Sequence, residues 1–221
     1  MTTIVGIKIC GLTRLEDALA ALDAGADALG MVLAESSPRR LMPEAAAALL
    51  ARVRERATRP FQAVAVLGAY DPVMARRALT ELGFDRAQLV GFDPDPAPAL
   101  GAALAALGPL AARAWGAIRV KGRASLAGLD EAPCEAFVLD TWKEGALGGT
   151  GHAFDWALAA PFAARRRVVL AGGLTSENVA GAIRAVRPWR VDVASGVEDS
   201  PGIKNAEKIR TFVEAVRNGD D

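Results

Sequence analysis

A chain of 221 residues can bury a sizeable core, and barrels of this length commonly form one domain, so residues 1–221 are read as a single domain. Its 26 basic and 26 acidic side chains cancel, which leaves no basic field to draw it to nucleic acid or to an anionic membrane and points to a small-molecule partner. No run of about 18 uncharged apolar residues occurs, and the N-terminus lacks the basic start and apolar core of a secretory signal; a soluble, cytoplasmic protein is expected. Cys10 and Cys134 lie in separate segments and His152 is the only histidine, too few soft ligands for a zinc site. In a reducing compartment a disulfide between the two cysteines is the lesser expectation.

In chain order, short β-type runs alternate with amphipathic helical stretches. VGIKIC (5–10) stops at Cys10, turns at Gly11 and enters RLEDALAALDA (14–24), where Leu15, Ala18, Leu19 and Leu22 share one helical face. Thr13 followed by Glu16 predicts a capping box at that helix start. DALGMVL (27–33) leads through SSPRRLMPE to a helix that opens on Pro43 and continues through EAAAALLARVRERA. FQAVAVL (61–67) and RAQLV (86–90) follow. The Pro-rich GFDPDPAPALG (91–101) falls where a strand-to-helix loop is needed, which favours a loop over an interdomain linker, and the Ala-rich 97–114 is helix-forming bias. WGAIRV (115–120), EAFVLD (135–140), RVVLAG (167–172) and RVDVAS (190–195) complete eight strands, and 203–217 predicts a last helix with Ile203, Ile209, Phe212, Val213 and Val216 on one stripe.

Almost wholly apolar strands joined by helices imply a parallel sheet covered by helices. Eight such units predict an α/β fold of the (β/α)8 TIM-barrel type, with a doubly wound open sheet as the alternative. In such a barrel the C-terminal strand ends face the active site, which places Cys10, Asp140, the AGGL run (171–174) and the SGVE run (195–198) at its mouth.

Each of these residues admits a plain and a functional reading. Gly172, Gly173 and Gly196 are ordinary turn residues singly; together, in the last two strand-to-helix loops, they predict a phosphate site. Asp140 ends an apolar strand, either as a loop cap or as a general acid whose pKa burial or a neighbouring charge has raised. Cys10 is either a small buried hydrophobe or a thiolate base helped by Lys8, which shares its face two residues away. Cys134, before the sixth strand, is expected to be structural. Arg39 sits in the long second loop either as a solvated charge or as a fork for a carboxylate, with Arg40 beside it. GGTG (148–151) is a flexible loop or a cover over the mouth and lacks the pattern of a nucleotide-triphosphate loop.

Taken together, KICGLTRLEDA (8–18), GADALGMVLAESSPR (25–39), AIRV (117–120), LDTWKEGALGGTGHAFDW (139–156), LAGGLTSENVAGAI (170–183) and VDVASGVEDSPGIKN (191–205) make the chain resemble phosphoribosylanthranilate isomerase of tryptophan biosynthesis. The resemblance implies an eight-stranded barrel that performs a cofactor-free Amadori rearrangement, as a monomer or homodimer, with Cys10 as general base and Asp140 as general acid. It further implies that Arg39 holds the anthranilate carboxylate and that Gly172, Gly173, Ser195 and Gly196 hold the phosphate. One departure stands out: members of that family often carry QLHG at the fourth strand end, where this chain has QLVG with Val90, and His152 is not assigned the missing role. A related sugar-phosphate isomerase of histidine biosynthesis is the nearest rival. Cys10 stands where that enzyme has an aspartate, and 61–70 has one glycine where it carries a second phosphate site. A barrel that binds a phosphorylated metabolite without catalysis is the rival from another class.

Overall fold

The computed structural model describes residues 4–91, 96–141 and 156–219. Eight parallel strands close into a barrel in chain order: β1 (Gly6–Cys10), β2 (Ala28–Val32), β3 (Gln62–Leu67), β4 (Arg86–Val90), β5 (Ala114–Val120), β6 (Ala136–Thr141), β7 (Val168–Leu170) and β8 (Arg190–Val193), with β8 pairing back onto β1. The closed ring excludes the open sheet.

Period-two alternation divides every strand between two cores. In β1, Ile7 and Ile9 point outward into the large layer under the helices, while Lys8 and Cys10 point into the barrel. The interior is filled by Ala28, Val64, Trp115, Ala136, Val138 and Val169, so the lumen is a packed core with a floor. Above that floor Cys10, Val32 and Val66 form a small cluster beneath the mouth.

Helices α1 (Leu15–Ala24), α2 (Pro43–Arg56), α3 (Pro72–Thr80), α4 (Pro96–Leu107), α5 (Ala160–Ala163), α6 (Val179–Val186) and α7 (Ala206–Gly219) cover the outside. Proline at the first position of α2 and of α3 forfeits an amide that has no helical partner there, and Asp71 caps α3 by accepting from the amides of Val73 and Met74. α1 ends at Gly25, whose φ of 111° lets its amide turn back onto the Ala21 and Leu22 carbonyls.

Two expectations need correction. The capping box does not form: α1 starts after Arg14 with no side-chain cap, because the Thr13 hydroxyl is committed to the Gly202 carbonyl at 2.6 Å, and Asp17 instead takes the first-turn role by pairing with Arg14. The last helix starts at Ala206, not at 203; Ile203 lies in an unforeseen hairpin of β9 (Glu198–Ser200) and β10 (Ile203–Lys204). Between β5 and β6 the described structure is only a single 3-10 turn, Arg123–Leu126, because Gly122, Gly128 and Pro133 leave too short a run for an α-helix. No helix among the described residues is long and apolar enough to cross a membrane.

Candidate active site

The C-terminal strand ends surround a cavity of about 390 Å³. Cys10 from β1, Asp140 from β6, Arg39 from the β2–α2 loop, Gly172 and Gly173 after β7, and Ser195 and Gly196 after β8 all line it. Every site residue expected from sequence is thus brought to one chamber. GGTG and His152 lie outside the described residues. Val32, Val66, Val90 and Val138 give the chamber an apolar wall. Cys134 is buried at the opposite end, as expected of a structural thiol, and both cysteines are free.

Cys10 and Asp140 occupy strands that are not neighbours, with β7 and β8 between them on the shorter arc. Gly30 of β2 is paired with Cys10, and a side chain there would press on the Cys10 sulfur and on Lys8 Nζ. Lys8 therefore does share the face of Cys10. Its charge, however, is already engaged: Nζ lies 2.7 Å from Asp192 Oδ2, and Lys8 is fully buried. Burial alone would lower the Lys8 pKa, but Asp192 and Cys10 outweigh it and hold it above the usual lysine value. For Cys10 burial dominates and pushes the thiol up, with Lys8 and Lys204 pulling it back only in part. Lys8 and Lys204 thus favour the thiolate, and burial outweighs them.

Asp140 carries the upward pKa shift that its general-acid reading calls for. It is partly open to the cavity yet walled by protein, and burial, reinforced by Asp192, pushes its pKa up to about 6 against the opposing Thr141 amide and the charges of Arg119 and Lys8. The Thr141 amide donates to Asp140 Oδ1 at 2.7 Å and fixes the carboxyl at the strand end. Gly172, at φ 85°, is obligatory here, since a β-carbon would overlap the Thr141 amide and Asp140 Oδ1. Gly196 has an equivalent constraint: its Cα faces the Leu174 carbonyl, so the two loops after β7 and β8 interlock through backbone. Asn178 braces the first of these loops, donating to the Gly173 carbonyl and accepting from the Thr175 amide.

Sequence reading gave no role to four polar residues at this end of the barrel, although the SGVE run had placed Glu198 there. Asp192 and Gln88 line the cavity, and Asp192 Oδ1 and Gln88 Oε1 are buried without a hydrogen-bond partner among the described residues. Glu198 and Lys204 come from the hairpin: Glu198 accepts from Arg39, and Lys204 braces Glu198. The signal was available for Gln88 and Asp192 as it was for Lys8: each is a polar residue at an inward position two before the last inward position of its run. Breaking the Lys8–Asp192 pair is expected to be severe: Lys8→Met strands a buried carboxylate and should cost about 3–5 kcal/mol in urea unfolding. Lys8→Met with Asp192→Leu should recover most of that loss; recovery of none would mean that the pair is not the cause.

A closed parallel barrel with an acid, a thiol and paired glycine loops around one chamber defines an enzyme of the (β/α)8 class. Within that class, the model for N-(5'phosphoribosyl)anthranilate (PRA) isomerase matches residues 7–215, and the chain belongs to that family of isomerases of tryptophan biosynthesis. It is 44% identical over 210 residues to N-(5'-phosphoribosyl)anthranilate isomerase of Pelobacter propionicus, covering 95% of this chain and 94% of the relative. The crystal structure of phosphoribosyl anthranilate isomerase from Thermus thermophilus superposes with a TM-score of 0.80 at 37% identity, covering 97% of this chain and 99% of the other. A phosphoribosyl anthranilate isomerase in complex with reduced 1-(o-carboxyphenylamino)-1-deoxyribulose 5-phosphate superposes with a TM-score of 0.77 at 32% identity, covering 97% and 99%. Among the described residues no group of three or more histidine, cysteine, aspartate or glutamate side chains is arranged to hold a metal ion.

Proposed function

We propose that this chamber converts N-(5'-phosphoribosyl)anthranilate to 1-(2-carboxyphenylamino)-1-deoxyribulose 5-phosphate, with Cys10 as general base and Asp140 as general acid. The observation that carries the reading is the placement of these two groups on non-adjacent strands of one cavity that Arg39 and the Gly172–Gly173 and Ser195–Gly196 loops also line. Asp140 as the neutral acid gives its proton to the furanose ring oxygen as the bond from that oxygen to C1 breaks, and the anthranilate nitrogen lone pair closes the iminium. Cys10 as thiolate then takes the proton from C2, and the freed electron pair forms the C1–C2 double bond and returns the iminium electrons to nitrogen. The enolamine tautomerises to the ketone when C1 gains one proton and the C2 hydroxyl releases one. The substrate is thus isomerised without an external electron carrier.

The groups that line the chamber match the groups of the substrate. Phosphate suits the backbone of the two interlocked glycine loops, the anthranilate carboxylate suits Arg39, and the aromatic ring suits the valine wall that includes Val90. Anchoring both ends fixes the sugar between acid and base and lowers the entropic barrier. The purified chain, given substrate made in situ from anthranilate and phosphoribosyl pyrophosphate, is expected to form the carboxyphenylamino deoxyribulose phosphate. A well-folded protein that binds the reduced product analogue and leaves the substrate unconverted would make it a binding protein instead.

A further inference from the structure

The Arg39 guanidinium is not loose in the chamber. Nε lies 2.8 Å from Glu198 Oε1 and Nη2 lies 2.6 Å from Glu198 Oε2, a side-on double hydrogen bond. Glu198 is itself fixed: Oε1 also accepts from Lys204 Nζ at 2.7 Å and from the Gly202 amide at 3.1 Å, and Lys204 Nζ donates onward to the Ala194 carbonyl. The glutamate and the lysine are both buried. Gly11, immediately after Cys10, has a φ of 75°, and a β-carbon on it would overlap Arg39 Cδ, so the arginine stem crosses the end of β1 through a gap that only glycine leaves.

A guanidinium has five donor hydrogens in one plane. The side-on bond to Glu198 uses the Nε hydrogen and one on Nη2. The end-on fork, one hydrogen each from Nη1 and Nη2, has no hydrogen-bond partner among the described residues, and Arg39 lines the cavity. Counting charges, Arg39 and Lys204 against Glu198 leave one surplus positive charge, so a second carboxylate can be accepted without displacing the first.

We propose that Glu198 is the positioning residue for substrate-carboxylate recognition: it clamps Arg39 side-on, braced by Lys204, so that the end-on fork faces the chamber ready-made. The assignment rests on the reading of Arg39 as the carboxylate anchor. It goes further by placing selectivity for a carboxylated aryl group in the hairpin after β8, outside the strand ends that carry the chemistry. A preset fork avoids freezing a long side chain on binding.

Glu198→Gln is a selective probe. Its amide oxygen can keep the Lys204 and Gly202 bonds, while its NH2 then faces Arg39 Nη2, donor against donor. Calorimetric binding of two probes reads the effect: the reduced carboxyphenylamino deoxyribulose 5-phosphate and the matching phenylamino compound without the carboxylate. In the unaltered protein the carboxylated probe should bind at least about tenfold tighter, the usual worth of a charged hydrogen-bonded contact. Glu198→Gln should erase most of that preference and leave affinity for the carboxylate-free probe within about threefold. Arg39→Ala should erase it equally, and Arg39→Ala with Glu198→Gln should be no worse than Arg39→Ala alone. Arg39→Lys, which keeps the charge and loses the fork, gives a second measure and should also lose the preference. If Arg39→Ala abolishes the preference while Glu198→Gln retains it, the positioning role is overturned and the anchor stands. If Arg39→Ala itself retains the preference, the anchor reading has failed.

Discussion

Cys10→Ala is expected to reduce turnover by at least about a hundredfold, the usual scale of a lost acid/base group, while binding of the reduced product analogue persists. The substitution removes one buried sulfur and leaves the Lys8–Asp192 pair and the Arg39–Glu198 clamp untouched, so a loss of turnover is a loss of proton abstraction. Because burial holds the thiol above its ordinary value and Asp140 titrates near about 6, the productive pair has the weaker acid deprotonated and the stronger one protonated. That form is a constant minor fraction between the two pKa values, so kcat/KM should be flat there and fall on both sides. Steady-state assays across pH check this. Turnover within a few-fold of normal in Cys10→Ala would take the sulfur out of the reaction.

Asp140→Asn is expected to lose turnover on the same scale and, unlike most losses of function, to gain stability at alkaline pH. The folded carboxyl titrates near about 6 against an ordinary value of 3.8. A group raised in this direction contributes fully below its unfolded pKa, and its contribution is lost as pH rises through its folded pKa. Above pH 6 the native protein therefore carries a desolvated carboxylate that costs about 2–3 kcal/mol, at roughly 1.4 kcal/mol per pKa unit. Asparagine keeps the acceptor for the Thr141 amide and removes the charge. Urea midpoints of the two proteins should converge below pH 4 and separate, with the variant the more stable, above pH 7. A lower limb of kcat/KM that survives in the variant belongs to the substrate phosphate rather than to Asp140.

The eight strands were legible because each is an apolar run broken by turn residues, and closure followed from their number and spacing. Cys10, Asp140 and the glycine loops were legible because a barrel sends strand ends to one face. Less visible were contacts that exist only once the ring has closed. Lys8 meets Asp192 across 184 residues of sequence, and Arg39 meets Glu198 across 159, distances over which no local pattern carries information. The β9–β10 hairpin was hidden for another reason: Glu198–Ser200 is short, polar and partly exposed, without the alternation that marks a strand. The capping box failed because the same hydroxyl had a tertiary acceptor in that hairpin, and a fully formed hydrogen bond to Gly202 displaced a local motif.

That hairpin lies beyond the last barrel strand, which separates two events in the life of the polypeptide. As the chain leaves the ribosome, every staple of the ring is translated before Glu198 and Lys204 emerge, and Arg39 has waited since the second strand for its counterpart. The partner that holds the Arg39 guanidinium is thus among the last parts of the chamber to be synthesised. On the proposed role of Arg39, recognition of an acidic ligand waits for the hairpin that holds its guanidinium.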